Sequence, residues 1–206
     1  MPIGYNPAWQ GSPRRRSVVM PTGETAIIVP VPEAEPLVGR WRARFDKHAA
    51  QGVPAHITLL SPFVPGTQLD AALPALREIL AGPPPDFRFE ELVLFPGGRD
   101  ASGQPRPGLA VLTPKPDDWF LDRSRALCRR FGLLPYGGRY GTDVHPHLTV
   151  AYGSLDRVEQ EARFAAIAAD LAPSLPLRCQ PGTARILVRD DDRWWTRLEL
   201  PLGGGG

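Results

Sequence analysis

A chain of 206 residues, 42% of them hydrophobic, can bury a core as one domain or as two small lobes sharing one, so it needs no disulfide or metal staple to fold. Its 24 Lys and Arg against 22 Asp and Glu give a formal net charge of +2, far short of a chain that coats nucleic acid, though a local positive cleft stays open. No apolar run approaches the roughly 20 residues of a membrane span, Arg14-Arg15-Arg16 leads into no signal-peptide core, and Cys128 and Cys179 form no CxxC pair, which together point to a reducing, cytoplasmic setting.

Residues 1–23, rich in Pro, Gly and Arg, read as a flexible extension. The first element is the β-branched run "TAIIVPVP" (25–32). It is followed by "EPLVGRWRARFDKHAA" (35–50), whose Leu37, Val38, Trp41 and Phe45 recur at helical spacing, and then by the strand-like "AHITLLSPF". A helical segment, "LDAALPALREIL" (69–80), and a further strand, "FRFEELVLF" (87–95), complete this half. The second half repeats the order: strand "GLAVLTPKP" (108–116), helix "DDWFLDRSRALCRRFG" (117–132) with Phe120, Leu121, Ser124, Leu127 and Phe131 on one side, then "HLTVAYG" as a strand. A helix over 155–171 and a strand "TARILV" (183–188) follow. A last strand, "RWWTRLELPL" (193–202), comes after the acidic turn Asp190-Asp191-Asp192 and is expected to pair with 183–188 as a hairpin, with Trp194 and Trp195 on opposite faces. The pattern predicts an α+β fold over residues 24–202: two pseudo-symmetric lobes, each a small antiparallel sheet backed by two helices, meeting at a groove. Residues 203–206 are a glycine tail.

The chemistry concentrates in the repeated strands. In His56-Ile57-Thr58-Leu59 and again in His147-Leu148-Thr149-Val150, strand alternation puts His and Thr on one face and the apolar pair on the other. One such motif alone reads more simply as a half-buried histidine; two at equivalent places in a repeated unit point to function. Two imidazoles, each with an unperturbed pKa of about 6.5, can divide the work of taking and giving a proton at a phosphodiester, while the hydroxyls of Thr58 and Thr149 donate to non-bridging oxygens. Neither metal nor cofactor is expected, since the chain has no HExxH and no GxxxxGK[ST], and Pro146 together with the lack of a third nearby ligand argues against a metal pair in "HPH". His48 reads as a surface residue and His145 as loop or strand entry. Before the second motif, "LLPYGGRYG" offers Tyr136, Arg139 and Tyr140 as substrate-binding residues that could stack on a base; a simple packing role for the tyrosines reads equally well.

The paired "HIT" and "HLT" motifs inside a duplicated strand-helix-strand unit resemble the two-histidine (2H) phosphoesterases, in the branch of 2′-5′ RNA ligases and RNA cyclic phosphodiesterases; "GVPAHITLLSPF" and "PYGGRYGTDVHPHLTVAYG" look like bacterial, actinobacterial-type members. The resemblance implies the bilobal 2H fold with its active site in the central groove, catalysis by His56 and His147, and phosphate binding by Thr58 and Thr149. It implies as partner an RNA 3′ end or nucleotide bearing a 2′,3′-cyclic phosphate or a 2′-5′ linkage, and a monomeric enzyme. The alternatives are a binding module for RNA or nucleotides that no longer turns over, and a defence- or cyclic-oligonucleotide-related partner that uses its glycine tail.

Overall fold

A computed structural model describes residues 23–84, 86–99, 103–139, 141–142 and 144–203. The expected extension up to residue 22, Tyr140 and the last three glycines lie outside the described residues.

Among the described residues, ten strands and five α-helices follow in chain order: β1 (Thr25–Pro30), α1 (Glu35–Phe45), α2 (Lys47–Ala50), β2 (His56–Leu60), α3 (Leu69–Ile79), β3 (Phe87–Phe95), β4 (Gly98–Arg99), β5 (Pro105–Arg106), β6 (Leu109–Lys115), α4 (Asp118–Phe131), β7 (Leu148–Tyr152), α5 (Arg157–Leu171), β8 (Leu177–Cys179), β9 (Thr183–Asp190) and β10 (Arg193–Pro201). Two antiparallel four-stranded sheets carry the fold, in the orders β10-β9-β1-β2 and β7-β6-β3-β8, with β4 and β5 forming a small separate ribbon.

The two sheets are built alike, and the halves exchange parts. Each starts from a central strand (β1, β6) whose outer neighbour carries a histidine motif (β2, β7). The third strand of each half crosses to the other sheet: β3 joins β6, and β9 joins β1. Helices are exchanged too, since α1 packs against β7 and α4 against β2. The duplication read in the sequence is therefore an interlocked pair, closed by the expected β9–β10 hairpin, whose turn holds Asp191 at φ 49°. The short strands β4, β5 and β8 were not expected from the sequence; two or three residues are too few to show a period.

Local sequence accounts for the main elements. All six residues of β1 are buried, and four of them are β-branched, as suits a central strand. Along α4, Phe120, Ser124, Leu127 and Phe131 recur every three or four residues as the buried stripe, and Gly132 ends the helix in the left-handed conformation at φ 64°. Asp156 accepts from the Glu159 amide to start α5. One hydrophobic core joins both sheets, running from Ile27, Ile57 and Leu59 to Phe89, Leu112, Leu148 and Val150. Trp194 packs on a smaller cluster of Ile28, Val53 and Leu187, while Trp195 is exposed, as the alternation predicted.

Candidate active site

β2 and β7 are the edge strands of their sheets, and they lie next to each other where the sheets meet. Burial follows the same rhythm in both motifs. His56 and Thr58 are half-buried while Ile57, Leu59 and Leu60 are buried; His147 and Thr149 are half-buried while Leu148, Val150 and Ala151 are buried. Two consecutive buried residues break strict alternation, and the register explains it. Thr58 pairs with Ile28 but Leu60 with Ile27, and Thr149 pairs with Val111 but Ala151 with Ala110, so Leu59 and Val150 are extra residues at equivalent irregularities. A bulge of this kind bends an edge strand and re-aims the side chains beside it, here the threonines. His56 is the first residue of β2, whereas His147 stands one residue before β7.

The imidazoles are held in the same way. Nδ1 of His56 donates to the carbonyl oxygen of Pro54 at 2.7 Å, and Nδ1 of His147 to that of His145 at 2.6 Å. A carbonyl can only accept, so the neutral ring carries its proton on Nδ1 and its lone pair on Nε2. Burial pushes His56 down to about 4; the Nδ1 bond opposes this and the nearby Arg42 charge adds to it. His147 is also held below the ordinary histidine value, again mainly by burial. Both rings are thus kept neutral, and an arriving phosphate anion would favour protonating either one.

The backbone leading into His56 is clamped by residues that the sequence reading passed over. Arg42, only 1% exposed, donates to Asp46 (3.0 and 3.2 Å) and to the carbonyl oxygen of Val53 (3.0 Å). Glu35 accepts from the Ala55 amide at 2.7 Å and lies 3.7 Å from the Arg42 guanidinium. Val53, Pro54 and Ala55 are therefore each tied to a side chain just before the histidine. An Arg and an Asp four apart on a helix usually mark a solvated face, and the only hint of burial was that Leu37, Val38, Trp41 and Phe45 flank them.

Two other histidines lie close by. His48, read as a surface residue, is half-buried near the start of α2, its ring 6.3 Å from that of Tyr152, and burial holds it below its ordinary value against the pull of Asp46. His145 is exposed, and the Phe95 ring stands steeply inclined to those of both His147 (centroids 5.1 Å apart) and His145 (6.1 Å). Of the expected substrate-binding residues, Tyr136 is half-buried in the short turn Pro135–Gly138 with φ 52°, a strained value for a tyrosine. This turn passes the end of β2: a Cβ on Gly137 would come 3.7 Å from Pro62. Arg139 is exposed.

Chemically the arrangement offers two lone-pair nitrogens and two hydroxyls on adjoining strand edges. Among the described residues no group of three or more His, Cys, Asp or Glu converges as a metal site would, and no helix is long and apolar enough to cross a membrane.

The family model of the 2′-5′ RNA ligase superfamily matches residues 30–193. No curated protein matches the sequence. Among solved structures, E. coli LigT complexed with 3′-AMP superposes with a TM-score of 0.53 at 14% identity, covering 89% of this chain and 100% of that one. TT0787 of Thermus thermophilus gives 0.52 at 17% identity, with 89% and 100% covered. E. coli LigT complexed with ATP gives 0.50 at 12%, with 88% and 98% covered. At such identities the likeness is one of fold.

Proposed function

This chain belongs to the 2′-5′ RNA ligase superfamily, and from that premise we propose that it is a metal-independent phosphoesterase of RNA or nucleotide phosphodiesters, opening 2′,3′-cyclic phosphates or cleaving 2′-5′ linkages. Residues 24–202 form the working unit in this reading. One imidazole takes a proton from water as the water oxygen bonds to phosphorus. The other gives a proton to the ribose oxygen as its bond to phosphorus breaks, leaving a phosphate monoester and a free hydroxyl. Each positioned acid or base is worth about 10²–10⁴ in rate. Thr58 and Thr149 donate to the non-bridging oxygens as negative charge builds on them.

The observation that carries this reading is the doubled geometry: equivalent His-x-Thr segments on adjoining edge strands, with the same bulge and the same Nδ1 bond to the carbonyl two residues earlier. That E. coli LigT, of the same fold, has been solved with 3′-AMP supports a nucleotide as the occupant. The test is turnover of 2′,3′-cyclic nucleotides, 2′-5′ dinucleotides and cyclic oligonucleotides in excess EDTA. Hydrolysis of the first or second class is expected. No turnover of either, or activity only after a divalent metal is restored, overturns the proposal.

A further inference from the structure

Beside the histidine strands stands a third imidazole that the proposed chemistry does not use. His48 lies in the turn that runs from α1 into β2, and that turn is pinned along its length. The His48 amide donates to Asp46 at 2.9 Å, and its carbonyl accepts from the Gln51 and Val53 amides at 3.1 and 3.0 Å. From α1, Arg42 holds both Asp46 and the Val53 carbonyl. On the far side the Gln51 carbonyl accepts from the Trp194 amide of β10 at 2.9 Å, and Val53 packs with Ile28, Leu187 and Trp194. None of these ties uses the His48 side chain, so the place of the residue is fixed without its imidazole.

The ring instead meets the other half of the molecule. It lies 6.3 Å from the ring of Tyr152, the last residue of the strand that carries Thr149. Tyr152 is itself held, its carbonyl accepting at 2.6 Å from Arg163, whose guanidinium stands 4.0 Å over the Phe45 ring. His48 is thus tied through its backbone to the approach to β2 and through its ring to β7. The groups that face it come from every neighbouring element: Asp46 and Lys47 beside it, Arg42 of α1, Arg189 of β9 and the Tyr152 ring of β7. Burial does most to keep the ring neutral, Asp46 opposes this, and the three cations add to it. A charge on His48 in turn presses His56 toward its neutral form, alongside Arg42, whereas the imidazole that acts on His147 is that of His145.

Resting on the phosphoesterase reading above, we infer that His48 is a third working imidazole of this site: a positioning residue that acts through His56, taking up a proton of its own and so keeping the Nε2 lone pair of His56 open for proton transfer. Neighbouring like charges disfavour each other, so the two rings titrate as a coupled unit and His48 takes the first proton. A ring that only filled space against Tyr152 could be replaced by phenylalanine without effect on His56, and this separates the two roles.

The experiment uses the full chain and reads the rings directly. Histidine ring resonances followed by NMR from about pH 8 to about pH 4 give the protonation midpoint of each imidazole. In His48→Gln and His48→Phe, which remove the charge, the His56 midpoint is expected to rise while that of His147 stays. His48→Lys keeps a charge without the ring and is expected to leave the His56 midpoint at or below that of wild type. In a kinetic arm with a 2′,3′-cyclic nucleotide, the limb of the kcat/KM profile set by His56 should move to higher pH in the Gln and Phe variants, changing kcat/KM on that limb by about threefold, while the other limb stays. A His56 midpoint unmoved in both of these variants, or moved equally in the Lys variant, overturns the inference. Absence of turnover in wild type would instead sink the phosphoesterase reading, and the NMR arm would still decide this one. The Asp46 bond is made by the backbone amide and survives in all three variants, and thermal melting checks that each is folded.

Discussion

His56 and His147 make the same hydrogen bond: each donates through Nδ1 to the carbonyl oxygen two residues earlier, at 2.7 and 2.6 Å. The bond fixes the ring and makes Nε2 the nitrogen available for proton transfer. Symmetry of this kind makes the two residues testable as a unit.

His56→Ala and His147→Ala are each expected to lower kcat at least about a hundredfold with little loss of structure. The double variant should lose little more than the worse single one, as groups acting in one step are not additive. Steady-state kinetics with circular dichroism checks this, and losses that multiply cleanly would mean independent roles.

Since both imidazoles titrate below the ordinary histidine value in the absence of substrate, kcat/KM is expected to trace a bell centred on the acid side of neutrality. Bound phosphate favours the protonated rings, so the bell for kcat should lie at higher pH than that for kcat/KM. Coincident profiles would count against phosphate sitting beside the histidines.

Stability carries the same signature. His56 has a folded value of about 4 against 6.5 when unfolded, so the unfolded chain binds more protons between these values. The stabilising contribution is therefore complete above pH 6.5 and is lost as pH falls toward 4. Denaturant titrations of wild type and His56→Phe should differ in slope across that window; parallel curves would mean that the burial does not act on this ring.

Thr58→Val and Thr149→Val remove a donor with little change of shape, and each is expected to cost about 1.5–3 kcal/mol of transition-state stabilisation, roughly ten- to a hundredfold in kcat/KM. Ile57→Thr and Leu148→Thr, on the fully buried face, should lower the melting temperature while leaving specific activity nearly intact. The reverse pattern would mean that the threonines do not meet the substrate.

Arg42→Ala leaves Asp46 buried without its partner and is expected to destabilise by about 3–5 kcal/mol. Arg42→Lys keeps the charge but loses the fork that also holds the Val53 carbonyl, so it should recover part of the stability and still show lowered kcat. Calorimetry and kinetics on both variants separate the two effects.

Much of the molecule was legible in its sequence because short-range periodicity is written there. The strand-helix-strand repeat, the His-x-Thr pairs, the faces on which Ile57 and Leu148 are buried, the stripe of α4 and the β9–β10 hairpin all follow from the alternation or the helical spacing of neighbouring residues. What only the tertiary structure decided is which half covers which. That β3 crosses to β6 and β9 to β1, and that α1 lies on β7, depends on burying faces that are apolar everywhere and carry no address. The bulges at Leu59 and Val150 arise from pairing with β1 and β6, and Arg42 is buried because Val53 and Asp46 close around it.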